Sequence, residues 1–74
     1  MHLSDINIDD TVFVKSINIA LKEKRRLYDL GFTNGALVKL LLISPSKHIK
    51  AYLIRNSVIA LRNSDASKIE VDYV

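Results

Sequence analysis

The 74-residue chain predicts a mainly β fold: a small antiparallel barrel of about five short strands, interrupted by one short α-helix at about residues 20–30. Three observations carry that expectation. Runs rich in β-branched and aromatic residues recur, with turn residues between them at short intervals. One segment, Ala20 to Leu30, switches instead to alanine, leucine, lysine, glutamate and arginine, all good helix formers. The stretch Arg25-Arg26-Leu27-Tyr28-Asp29-Leu30-Gly31-Phe32-Thr33-Asn34-Gly35 then reads as a basic helix end, a glycine stop and a second turn that launches a strand.

Each element has its own justification. Thr11 to Ile19 carries Val12, Phe13, Val14, Ile17 and Ile19 and reads as a strand, although its alternation is imperfect. Ala20 to Leu30 is only about three turns, too short to stand alone, so it must dock on something. Leu27 and Leu30 lie three apart and share a helical face, which makes them the docking pair. Gly31 falls where a left-handed residue satisfies the last helical carbonyls. Asn34-Gly35 supplies residues that tolerate positive φ. Ala36 to Ile43 is a strand with Ala36, Val38, Leu40 and Leu42 on one face and only Lys39 breaking the apolar character of the other. Two covered faces suit a closed or strongly curved sheet. Ser44 to His48 is a loop, since Pro45 cannot continue a ladder. Ile49 to Arg55 and Val58 to Arg62 pair across a tight turn at Asn56-Ser57. Asn63 to Lys68 is one helical turn with Ser64 as its cap, and Ile69 to Tyr73 alternates as a strand with one wet face.

Composition bounds the function. The length suits one domain, 1–74, whose small core buries roughly 60% of the unfolded surface. Cysteine is absent, so neither a disulfide framework nor a thiolate metal site exists, which suits a reducing cytoplasmic setting. No apolar run approaches the ~20 residues of a membrane-spanning helix, so direct membrane insertion is not expected. Net charge is +3, and Lys15, Lys22, Lys24, Arg25 and Arg26 are opposed locally only by Glu23. Such a cluster is either a solvated helix face or a surface for phosphates.

Chemistry is sparse. The sequence contains no His-x-x-His, His-Glu-x-x-His or Gly-x-Ser-x-Gly pattern. Gly31 and Gly35 are its only glycines, which rules out a phosphate-cradling P-loop. The chain is therefore not expected to be an enzyme. His2 and His48 are far apart, and His48 is the one weak candidate for a metal ligand. Ligand spacing does not support an Fe(II) site, which needs imidazoles and carboxylates converging on one centre. Asp9-Asp10 reads as a turn whose carboxylates bond their own backbone.

Several segments together resemble one family. Leu3-Ser4-Asp5-Ile6, Val14-Lys15-Ser16-Ile17 and Arg26 to Gly35 follow its layout, as do Ile59-Ala60-Leu61-Arg62, Asp65-Ala66 and Ile69-Glu70-Val71. In order and spacing the chain resembles the ferrous iron transport protein A (FeoA) family across essentially its whole length. The resemblance implies an SH3-like β-barrel with a helix inserted after the first strand. It also implies a cytoplasmic accessory of the ferrous iron permease FeoB, a membrane protein with a cytosolic GTP-binding domain. The chain resembles the free-standing member rather than a domain attached to a metal-responsive repressor. Three glycines of the family pattern are missing: Ile8-Asp9 stands for Pro-Gly, Ser44-Pro45-Ser46-Lys47-His48-Ile49 for an Ala-Pro-Leu-Gly-Asp-Pro loop, and Asn56 for the hairpin glycine.

Two functional readings follow. In the first, the barrel binds the cytosolic part of a FeoB-type permease, with Arg25, Arg26 and Tyr28 as contact residues and Leu27, Leu30, Gly31 and Gly35 holding the helix and turns. In the second, it is a small-barrel nucleic-acid module using the Lys22 to Arg26 cluster. The second is disfavoured, because the five aromatics, Phe13, Tyr28, Phe32, Tyr52 and Tyr73, do not interleave with the basic residues as base stacking requires. Exposed sheet edges beside the apolar Leu40 to Ile43 run offer a route to a homo-oligomer.

Overall fold

A computed structural model describes residues 1–74. A 3-10 turn (Leu3–Asp5) precedes strand β1 (Thr11–Ile17), helix α1 (Leu21–Asp29), β2 (Leu37–Ile43), β3 (Ile49–Ile54), β4 (Ser57–Arg62), the short helix α2 (Asn63–Ala66) and β5 (Ile69–Tyr73). The five strands form one sheet in the order β4-β3-β2-β1-β5, with every pairing antiparallel. Helix α1 thus occupies the connection between β1 and β2, as the sequence predicts.

Two bulges shape the sheet. Between β1 and β5 the register jumps from Val14↔Val71 to Ser16↔Glu70, leaving Lys15 as the extra residue. Between β2 and β3 it jumps from Leu40↔Tyr52 to Leu42↔Ala51, leaving Leu41. A bulge bends its strand and increases the local twist, which coils a five-stranded sheet around a small core. It also resets the side-chain alternation. That is why Val14 and Ile17 both point inward, and why the alternation of Thr11 to Ile19 looks imperfect in sequence.

Fifteen apolar residues make one buried cluster, drawn from all five strands and from Leu3, Ile6, Leu27, Phe32 and Ala66. The two outer strands are not hydrogen-bonded to each other. The gap between them is filled by the 3-10 turn and α2, whose Leu3 and Ala66 are completely buried. The barrel is therefore closed by side chains rather than by a continuous ladder, a correction to the fully closed alternative. The outer edge of β5 is covered: Val71 N–H donates to Met1 O at 2.8 Å, and His2 forms an isolated bridge with Glu70. His2 N–H in turn donates to the Asp5 carboxylate at 3.0 Å, which ties the N-terminus to the 3-10 turn.

Helix α1 ends as the glycine predicts. Gly31 has φ +110, its N–H donates to Tyr28 O at 2.9 Å, and Phe32 N–H donates to Leu27 O at 3.0 Å. These two bonds define a Schellman motif, whose companion hydrophobic contact brings the residue after the glycine back to the last helical turn. Leu27 and Phe32 are both buried in the core cluster. Thr33 to Ala36 then closes a turn through Ala36 N–H to Thr33 O at 2.9 Å, with Gly35 at φ +85. Asn34 does not share the positive φ.

Three expectations need correcting. The β3–β4 turn is Arg55-Asn56, with φ +49 and +63, and Ser57 already belongs to β4. Ser64 lies inside α2, whose N-cap is Arg62. The outward face of β2 is not covered: Leu37 and Leu42 are exposed, because the bulge at Leu41 turns Leu42 away from the core. The three missing glycines have a structural counterpart. Asp9, Lys47 and Asn56 all adopt left-handed backbone, with φ +70, +65 and +63. Asp and Asn tolerate that conformation more readily than Lys, which adopts it at a cost.

Buried Tyr52 has no hydrogen-bond partner for its hydroxyl. Burial pushes its phenol from 10.0 up to about 12. The unfolded chain releases that proton near pH 10 while the folded chain keeps it. The unfolded state therefore binds fewer protons between those values, and stability falls as pH rises through that window.

Two stability experiments follow. Gly31→Ala is expected to cost ~2 kcal/mol, from the strained φ and from a Cβ that would meet Arg55 Cδ at 3.2 Å. Lys47→Gly is expected to gain ~0.5 kcal/mol by relieving left-handed backbone, the unfolded-chain entropy of glycine taking back part of the gain. Urea unfolding measures both. Between pH 10 and 12 the parent chain is expected to lose on the order of 2–3 kcal/mol through Tyr52. Tyr52→Phe should lack that loss and be at least as stable at pH 7, since it removes an unpartnered buried hydroxyl. Denaturant unfolding across that pH range checks it.

Candidate interaction surface

The apolar anchor of α1 is one residue. Leu27 is 1% exposed and sits in the core, whereas Leu30, at the C-cap, is 36% exposed. Leu30 is thus not the second docking leucine that the three-residue spacing suggests. It lies four residues after Arg26 on one helix face, and the two side chains face β4. Between helix and strand lies an open groove of about 410 Å³ lined by Arg26, Leu30, Ala60, Leu61, Arg62 and Asp65. Leu61 is buried beneath it. The Arg26 guanidinium reaches Asp65 Oδ2 at 3.3 Å, a half-exposed pair that links α1 to α2.

The three predicted contact residues do not form one patch. Arg26 opens onto the groove. Tyr28 lies roughly 160° further around the helix axis, where the Lys24 ammonium sits 5.7 Å from its ring centre. Arg25 is exposed and makes no ion pair. The basic cluster is therefore spread over the helix surface. Gly31 is buried beneath the Arg55 side chain, and Arg55 Nη2 donates to Thr33 Oγ1 at 2.8 Å. This contact ties the β3–β4 turn to the helix end. Gly35 faces open space.

A second exposed surface lies on the outward face of the sheet. Leu42, Ala51 and Ala60 form one cross-strand row there, flanked by Pro45, Ile49 and Val58. Leu42 is 66% and Val58 61% exposed. The Leu40 to Ile43 run belongs to β2, which lies between β1 and β3. Its register with β1 stops at Lys39, so Leu42 and Ile43 pair only with β3.

His48 is exposed in its loop, beside a hollow shared with Ile49, Arg62, Asn63 and Ser64, none of them a carboxylate. No three His, Asp or Glu side chains converge anywhere in the chain. Asp10 Oδ2 accepts from Asn7 N–H at 2.9 Å and from the Tyr73 hydroxyl at 3.1 Å. The second bond holds the Tyr73 phenol above its usual 10.0. Of the aromatics, Phe32 and Tyr52 are entirely buried and Tyr28 lies beneath Lys24, so no row of rings is free for stacking on bases.

The fold is a small SH3-like barrel with a helix between its first two strands. A family model described as the FeoA domain matches residues 1–73, and the chain belongs to the FeoA family. The structure superimposes on FeoA protein from Chlorobium tepidum with a TM-score of 0.93 and 28% identity, covering 100% of this chain and 70% of that one. FeoA from Stenotrophomonas maltophilia, whose structure was solved with zinc, gives a TM-score of 0.83 at 28% identity, covering 97% and 89%. The Fe(2+) transport protein A/Fe(2+) transporter FeoB fusion protein of Porphyromonas gingivalis is 26% identical over 74 residues, all of this chain and 9% of that protein. The chain thus spans about a tenth of the curated relative that it matches. The family is one of ferrous iron transport, and in that relative the two activities named share one polypeptide.

The unequal burial of the two leucines sets an expectation. Leu27→Ala should cost about 3 kcal/mol and leave so small a domain largely unfolded. Leu30→Ala should cost under ~1 kcal/mol. Thermal melts of the two variants check the difference.

Proposed function

We propose that this chain is a cytoplasmic accessory domain of a ferrous iron uptake system and acts by docking on the cytosolic part of a FeoB-type GTP-dependent permease. The observation that supports it most is the Porphyromonas gingivalis relative, in which a segment matching this whole chain is joined to an iron transporter. Covalent joining keeps two domains at high effective concentration, which is useful when they act together. The chain carries no helix long and apolar enough to cross a membrane, so its own route to a membrane transporter is through protein contact. No catalytic role is assigned to it. Docking would regulate transport only through different affinities for two states of the permease. Arg26 is the contact residue best placed for that role; Arg25 is exposed next to it, and Tyr28 lies on the far side of the helix under Lys24.

A pull-down of the purified cytosolic domain of a FeoB-type permease tests the reading. The Arg25→Glu/Arg26→Glu double variant is expected to retain at least ten-fold less permease while its melting temperature stays within ~5 °C of the parent. Deleting the gene should lower cellular ferrous uptake, and the parent chain but not the double variant should restore it. Uptake that is unchanged by the deletion contradicts the proposed role.

A further inference from the structure

The barrel protects one sheet edge and leaves the other open. The edge of β5 is covered by Met1 and His2, but β4 is the last strand on its side and nothing pairs with it. The two-residue turn at Arg55-Asn56 fixes which groups are free. Ile54 and Ser57 flank it as a hydrogen-bonded pair, so Ser57, Ile59 and Leu61 bond β3. The N–H groups of Val58, Ala60 and Arg62 therefore point away from the sheet. None of the three donates to any other backbone or side-chain group. A row of unpaired donors on an edge strand is a template for another strand.

We propose that the β4 edge beside α1 is a strand-addition site for an extended peptide segment of a partner protein that alternates carboxylate and apolar side chains. The inference deepens the docking reading above and rests on it for the identity of the partner. The groove between helix and edge holds room for a strand and has an apolar patch at Leu30 over buried Leu61. Its polar lining is cationic on balance: Arg62 has no carboxylate partner, and Arg26 shares the one carboxylate, Asp65. A segment laid antiparallel to β4 would place alternate side chains toward this groove and toward the outward sheet face, where Val58 and Ala60 are exposed. Charge selects against a second copy of this chain. Each molecule carries net charge +3, and the groove has unpaired Arg62 beside Arg26, so a second copy meets like charge where a carboxylate-bearing segment meets opposite charge. Nucleic acid fits poorly because no aromatic ring lines the groove.

The test is a titration of the full ¹⁵N-labelled chain with a capped eight-residue peptide alternating valine and glutamate. Shifts and slowed hydrogen exchange are expected at the amides of Val58, Ala60 and Arg62. A valine–lysine peptide should bind at least ten-fold more weakly. Arg62→Glu, on an exposed side chain, should weaken the glutamate peptide at least ten-fold. Ala60→Pro removes an outward donor without touching the β3 ladder and should do the same. The proposal is overturned by an unperturbed β4 edge, by equal binding of the two peptides, by concentration-dependent protection of those amides without peptide (a second copy), or by the same shifts on adding a uridine octamer that displaces the peptide. Permease capture that survives both variants sinks the edge site and leaves the docking reading standing. Peptide binding at β4 with no permease capture has the opposite meaning: the edge site holds and the docking reading falls.

Discussion

The structure depends on how α1 is turned back onto the barrel. A nine-residue helix has almost no stability of its own, and this one buries a single leucine. Its attachment therefore comes mainly from its C-terminal end. There the left-handed Gly31 lets Phe32 N–H reach Leu27 O and carries the Phe32 ring into the same core as Leu27. Six residues after Gly31 the chain enters β2 at Leu37, just after Gly35 N–H bonds Val14 O and Val14 N–H bonds Ala36 O. Helix, reversal and first strand pair are thus fixed by one short segment. Arg55 adds a strut from the far hairpin by packing over Gly31 and bonding Thr33.

That geometry decides what surface remains. With Leu27 facing the core, Arg26 and Leu30 lie beside β4 rather than beneath the sheet. The groove and its cationic lining beside the uncovered edge follow from where the helix stops. The opposite edge is protected by two N-terminal residues, so exposed backbone is concentrated on one side of the molecule. The bulge at Leu41 contributes independently, by turning Leu42 outward and giving the sheet an exposed apolar row that runs up to the same edge.

Much of the fold could be read from the sequence because local chemistry and tertiary structure agree there. Gly31 and Gly35 marked two places that need positive φ, and the helix, strand and hairpin order followed from propensity and spacing. What escaped was set by non-local pairing. The bulges at Lys15 and Leu41 depend on the register with β5 and β3, so neither the inward turn of Ile17 nor the exposure of Leu42 could be read from alternation alone. The hairpin turn was misplaced by one residue because Arg55, an unusual choice for left-handed backbone, carries no turn signal. The 3-10 turn has no local signal either, since Leu3 is buried only through distant partners. Of the contact residues, Arg26 was legible as part of a basic helix end. The roles of Leu30 and Arg62 were not, because the groove exists only where α1 and β4, far apart in sequence, come side by side.

Native-state hydrogen exchange at Phe32 tests the account most directly. If the reversal at Gly31 holds the helix as an integral part of the barrel, the Phe32 amide should exchange only through global unfolding, with the same opening free energy as the Tyr52 amide in β3. A Phe32 amide that exchanges orders of magnitude faster, while the strands stay protected, would show that α1 detaches without the barrel unfolding. The surface derived from its position would then have no fixed shape.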